Sequence, residues 1–110
     1  CHTGPLLGGT MYAKLGAAES FAGSDLGRFN VTGEEADKYV FKVPALRNIG
    51  QTGPYLHDGS IPTLEEMVRI MVRHQLGQEL EDDEINDMVL FLRALTGEVP
   101  AEYIARPELP

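Results

Sequence analysis

Apolar residues recur at helical spacing over the second half of the chain. After Pro62, Leu64, Met67, Val68, Met71 and Leu76 follow a period of about 3.6 residues. Thr63, with Glu66 three residues later, forms a capping box that opens this helix, and Gly77 marks its end. A second helix is predicted from about Glu81 or Asp82 to Thr96. Ile85, Met88, Val89, Leu92 and Leu95 make its apolar face, acidic residues occupy its first turn, and Gly97 lies beyond it. Pro100, Pro107 and Pro110 then predict an irregular tail.

The first half has no such period. Gly4, Gly8, Gly9, Gly16, Gly23, Gly27 and Gly33 divide it into short apolar pieces such as Leu6-Leu7 and Met11-Tyr12-Ala13, with no sustained strand alternation. Thr32 and Glu35 fit a capping box for a short helical turn ending near Tyr39 or Val40. Pro44 keeps Val43 extended and can itself open a helix of one or two turns. Residues 51–60, with Gly53, Pro54 and Gly59, read as an ordered loop. These elements predict one all-α domain over residues 1–110, with few helices and much ordered loop. So small a helical set would pack poorly without something large at its centre.

Composition narrows the partners. With 43% hydrophobic and 24% charged residues, the 110-residue chain sits in the range of one globular domain. Nine Lys and Arg against 17 Asp and Glu give a formal net charge of −8, which argues against a nucleic-acid partner. The acidic run from Glu79 to Asp87 reads as a solvated helix start, with a docking patch for a basic partner as the other reading. No apolar run reaches the roughly 18 residues of a membrane span, and the sequence shows no leader peptide.

The candidate chemistry begins at Cys1-His2. A cysteine directly before a histidine is how a Cys-x-x-Cys-His haem-attachment motif ends, so the sequence reads as starting inside that motif. In a c-type haem site the cysteines form thioethers and the histidine ligates iron. Met11, Met67, Met71 and Met88 are candidate thioether ligands, each with an ordinary core role as the alternative. His74 sits near a helix C-terminus, where a partly charged imidazole suits the dipole, and needs no chemistry. Arg47 could hold a carboxylate such as a haem propionate with two hydrogen bonds, or serve in a structural ion pair. No phosphate-binding glycine loop, Ser-His-Asp triad or four-ligand zinc set is present.

Five segments in order carry a resemblance: Leu7-Gly8-Gly9; Gly27-Arg28-Phe29; the stretch from Tyr39 to Pro44 with Leu46-Arg47-Asn48; the stretch from Pro54 to Gly59; and Gln75-Leu76-Gly77. Together with Cys1-His2 they resemble the C-terminal domain of bacterial di-haem cytochrome c peroxidases, over nearly the whole chain. The resemblance implies a cytochrome c-like domain carrying the high-potential haem. Cys1 would supply a thioether, His2 the proximal ligand, with its other ring nitrogen donating to a backbone carbonyl, and Met71 the distal ligand, with Met67 as its rival. His57 would lie near the haem and the domain interface, contacting a propionate or else stabilising its loop.

The same resemblance implies a calcium ion between two domains, with the carbonyls of Thr52 and Pro54 among its ligands. The expected partners are an N-terminal haem domain that reduces hydrogen peroxide and a small donor cytochrome c or cupredoxin. The setting would be a periplasmic homodimer. Two other readings keep the fold: a haem-free fragment without activity of its own, and the equivalent domain of an enzyme related to the methylamine-utilisation di-haem protein, which matures a cofactor on a protein substrate.

Overall fold

The amphipathic stretch from residue 64 onward supplies most of the core, and the glycine-rich first half is laid against it. In the computed structural model, which describes residues 1–21 and 23–108, the elements in chain order are β1 (Tyr12–Lys14), α1 (Phe29–Thr32), a 3-10 turn (Glu35–Asp37), β2 (Val40–Lys42), a second 3-10 turn (Ile49–Gln51), α2 (Leu64–Met71), a π-helical turn (Val72–Leu76), α3 (Asp82–Ala94) and α4 (Ala101–Ile104). Leu64, Val68 and Val72 from α2 and its extension pack on Ile85 and Val89 of α3, with Tyr55 and Ile61 from the preceding loop closing the cluster. Ile85, at 1% exposure, is its most enclosed member.

The expected Thr63–Glu66 box is made on one side only, and a reciprocal box forms instead at the start of α3. The Thr63 hydroxyl accepts from the Glu66 N–H at 3.2 Å, and Glu81 and Glu84 form a reciprocal box in which the Glu81 N–H donates to Glu84 Oε2 at 3.0 Å. The ends differ. The α-helical part of α2 stops at Met71, and a π turn carries the chain on to Gly77, which closes it in the left-handed conformation (φ 64°). Helix α3 ends at Ala94, two residues short of the expected Thr96. Met88 stands at the edge of the apolar face and is 39% exposed, so it is not the core residue its spacing suggests. The tail contains the one-turn helix α4.

The expectation of an all-α chain needs correcting, because β1 and β2 form a two-stranded antiparallel sheet with Tyr12 opposite Lys42 and Lys14 opposite Val40. Three-residue strands are too short to show a period of two, and the central partners, Ala13 and Phe41, lie 28 positions apart, so no local pattern announces the pairing. The Thr32–Glu35 capping box is also absent. Thr32 instead ends α1, its hydroxyl donating to Asp37 at 2.7 Å, while Gly33 turns the chain at φ 71°. Nor does Pro44 open a helix. The Val43 N–H donates to the Met11 carbonyl and the Val43 carbonyl accepts from the Gly9 N–H, both at 2.9 Å, so the sheet's pairing runs past β2 and keeps this segment extended.

The Cα radius of gyration is 15.9 Å, against about 13 Å for a tightly packed domain of this length. Large apolar residues stay substantially exposed at both ends of the chain, among them Leu6, Met11 and Tyr12 in the first half and Val99, Tyr103 and Ile104 in the tail.

Candidate functional site

His2 is held by the backbone. Its Nδ1 lies 3.2 Å from the carbonyl oxygen of Pro44, 42 positions away. That contact makes Nδ1 the protonated donor and leaves Nε2, on the opposite side of the ring, as the nitrogen with a lone pair to offer a metal. The Pro44 carbonyl is positioned from both sides. Met11 and Gly9 pair with Val43, and the Leu46 N–H donates to the carbonyls of Leu6 and Leu7. Gly8 is buried against Pro44 at φ 132°, and a Cβ on it would fall 2.1 Å from the Pro44 oxygen, so this approach needs glycine. Cys1, beside His2, is an exposed free thiol.

The methionines separate by environment. Met67 packs against the core cluster, whereas Met71, half-buried at the last position of α2, is not among the described residues packed on it. Met11 and Met88 are exposed at 42% and 39%. The turn that follows Met71 is tied down by side chains. Gln75 accepts from the Ala17 N–H at 2.9 Å and donates to the Lys14 carbonyl at 3.1 Å. The His74 ring lies edge-on to Phe21 and its Nδ1 is 3.0 Å from the Glu19 carbonyl oxygen. Arg73 bonds both oxygens of the Glu19 carboxylate. This guanidinium holds the Glu19 carboxyl below its ordinary range, and the carboxylate in turn raises Arg73.

His57 stacks on Phe41 with ring centroids 4.2 Å apart, and its Nε2 is 3.3 Å from Asp25 Oδ2. The imidazole therefore ties the 51–60 loop to the segment entering α1. Next to it, the Asp58 carboxyl is held low by hydrogen bonds from the Ser60 hydroxyl and N–H. Arg47 lies in the turn three residues after Pro44, and among the described residues it forms no ion pair. Thr52 and Pro54 are exposed, and among the described residues neither carbonyl accepts a hydrogen bond from the backbone. Two carbonyls fall well short of the six to eight oxygens calcium takes. Among the described residues no three His, Cys, Asp or Glu side chains form a metal-ligating group.

Nothing in the local sequence gives Gln75, Asp25 or Phe41 a role of its own. The contacts that matter here, Gln75 with Lys14, Asp25 with His57 and Phe41 with His57, span 16 to 61 positions, although Asp25 also accepts locally from the Gly27 N–H and the Asn30 amide at 2.8 Å. The donor set that is present, a thiol, an imidazole with one nitrogen already engaged and a half-buried thioether, fits a c-type haem by its chemistry.

Comparison with known proteins agrees with that class. A solved structure of a MauG-like protein associated with microbial copper homeostasis superposes with a TM-score of 0.63 at 30% identity, over 87% of this chain and 36% of that one. No protein-family model matches the chain. Cytochrome c551 peroxidase of Nitrosomonas europaea is 49% identical over 91% of the chain, and cytochrome c peroxidase Ccp of Escherichia coli is 45% identical over 88%. Cytochrome c551 peroxidase of Pseudomonas aeruginosa is 40% identical over the full chain. The chain belongs to the bacterial cytochrome c peroxidase family. It spans 30%, 22% and 33% of the lengths of these three relatives, so it corresponds to a part of such a protein.

Proposed function

We propose that this chain is the electron-accepting domain of a di-haem cytochrome c peroxidase. The observation that carries the reading is the His2–Pro44 contact, in which one ring nitrogen is spent on the backbone and the other has no partner among the described residues, in a chain 40 to 49% identical to named peroxidases. Cys1 would hold the haem by a thioether, His2 would ligate iron through Nε2, and Met71 would supply the second axial ligand. A bound His/Met-ligated haem would supply one-electron chemistry at a raised potential, since the soft thioether favours ferrous iron. The chain's own residues orient the imidazole through Pro44 and hold the methionine at the end of α2. Met71 is favoured over Met67 because Met67 is already committed to the core.

Arg47, three residues from Pro44, is suited to hold a propionate. His57, with Asp25 and Phe41, would steady the loop whose Thr52 and Pro54 carbonyls contribute to an interdomain calcium, the remaining ligands coming from outside this chain. The partners in this reading are an N-terminal haem domain of the same protein where hydrogen peroxide is reduced, and a small donor cytochrome c or cupredoxin. The assembly would be a periplasmic homodimer. Among the described residues no helix is long and apolar enough to cross a membrane.

The test is an absorption spectrum with iron analysis of the purified full-length protein, then of its Met71→Ala variant. We expect a Soret band with one iron per haem-attachment motif, and a lowered reduction potential in the variant. An unchanged ferrous spectrum in Met71→Ala would refute the ligand assignment. A second reading, a domain of a cofactor-maturing enzyme, is favoured by the MauG-like structural neighbour and by the 37% identity to methylamine utilization protein MauG of Methylorubrum extorquens. Peroxidase turnover with a reduced cytochrome donor separates the two.

A further inference from the structure

We infer that Gln75 is a positioning residue for Met71, acting through the sheet that also carries the support of His2; this rests on the haem-ligand reading above. Gln75 lies one turn beyond Met71, and its amide is used on both sides. The oxygen accepts from the Ala17 N–H at 2.9 Å and the nitrogen donates to the Lys14 carbonyl at 3.1 Å. Lys14 is the last residue of β1. Strand β1 pairs with β2, whose continuation reaches Val43 and Pro44, and the Pro44 carbonyl holds the His2 ring. One side chain thus fastens the end of the methionine helix to the two-stranded platform on which the histidine is anchored.

The local backbone gives this fastening its leverage. The helix leaves α geometry immediately after Met71 and makes a π turn over Val72–Leu76. Such a turn holds one residue more than an α turn and needs outside support to persist. That support comes from residues 14–21. The Ala18 and Glu19 N–H groups both donate to the His74 carbonyl, Arg73 pairs with Glu19, and Gln75 closes the 14–17 turn. Arg73 and Glu19 are exposed and contribute little. Gln75 is half-buried and is the side chain that bonds the end of β1. Without it, the turn can relax toward α geometry and carry the Met71 thioether with it.

The experiment uses the full-length, haem-loaded protein and titrates its ferric form with imidazole, which competes with methionine for iron. Gln75→Ala should raise imidazole affinity about tenfold, equivalent to about 1.4 kcal/mol in the ease of Met71 release, and should weaken the methionine-to-iron charge-transfer band and lower the reduction potential. Gln75→Glu preserves side-chain volume and the bond from Ala17 but sets a carboxylate against the Lys14 carbonyl. It should show the same rise at neutral pH, shrinking as acid protonates the introduced carboxyl into a donor, and it serves if Gln75→Ala fails to fold. Imidazole affinity and potential equal to wild type in the folded variants, with only the melting temperature lowered, would overturn the inference. Failure of the underlying reading looks different: Met71→Ala itself would then leave the charge-transfer band and imidazole affinity unchanged.

Discussion

Replacing Gly8 by alanine tests whether the Pro44 carbonyl is held as tightly as its surroundings indicate. The new Cβ would lie 2.1 Å from the Pro44 oxygen, 2.9 Å from its carbonyl carbon and 3.2 Å from the Ala45 Cα. All three are backbone atoms of a segment bonded on both flanks, so no flexible side chain can yield. Restoring ordinary contact distances requires the carbonyl to move by more than about 1 Å, which would break the His2 contact at 3.2 Å. A φ of 132° costs a residue with a side chain a further increment. Backbone strain of about 1 to 3 kcal/mol and a lost hydrogen bond of about 0.5 to 1.5 kcal/mol together give a loss of about 1.5 to 4.5 kcal/mol. Gly4→Ala is the control, since Gly4 has φ 78° but nothing within 4 Å of its Cβ position, and it should cost about 1 to 2 kcal/mol. Urea unfolding of both variants beside wild type measures the difference. A loss in Gly8→Ala no larger than in Gly4→Ala would show that the Pro44 segment yields freely and that His2 is not fixed in the way described.

Three further outcomes follow from the packing and charges. Ile85→Ala, at the most enclosed position of the core, should lose about 2 to 5 kcal/mol of stability, read as a lowered urea midpoint at unchanged slope. Thr63→Ala removes the acceptor for the Glu66 N–H and should cost about 1 kcal/mol, with circular dichroism showing the same folded helix content before unfolding. Glu19 has its folded pKa depressed by the hydrogen bond from Arg73, so its contribution is complete above the ordinary carboxylate range and is lost as pH falls through the depressed value. Glu19→Gln should therefore be less stable than wild type at neutral pH, with the gap closing below about pH 4, as measured by thermal unfolding across that range.

How far the fold could be read in advance depended on contact range. Thr63 and Gly77 act within one helical turn of themselves, and each starts or ends its helix as its residue type dictates, whereas the Glu81–Glu84 box at the start of α3 has no favoured N-cap residue to announce it. Met88 has the right spacing for the core, but periodicity gives an angle around the helix and not what covers it, and Met88 is 39% exposed. Thr32 does not cap the next turn because it is the last residue of α1, and after the chain turns at Gly33 its hydroxyl oxygen accepts from the Glu34 N–H at 3.3 Å rather than from Glu35. The resemblance puts His57 near a domain interface but says nothing of what holds it. Its stacking on Phe41 and contact with Asp25 depend on segments 16 and 32 positions away meeting in space.

The two amphipathic helices, the Thr63 start and Gly77 stop, the acidic charge and the adjacency of Cys1 and His2 are all legible along the chain, because propensity, periodicity and covalent neighbourhood are properties of short stretches. The β1–β2 pairing, the extended Pro44 segment that holds His2, the widening of the helix into a π turn after Met71 and the Gln75 link from that turn to the sheet emerge only in the folded chain. Each of these rests on hydrogen bonds between backbone or side-chain groups far apart in the chain. Such bonds form wherever folding brings unpaired donors and acceptors together, and every residue except proline carries a backbone donor, so residue identity alone cannot say which ones will meet.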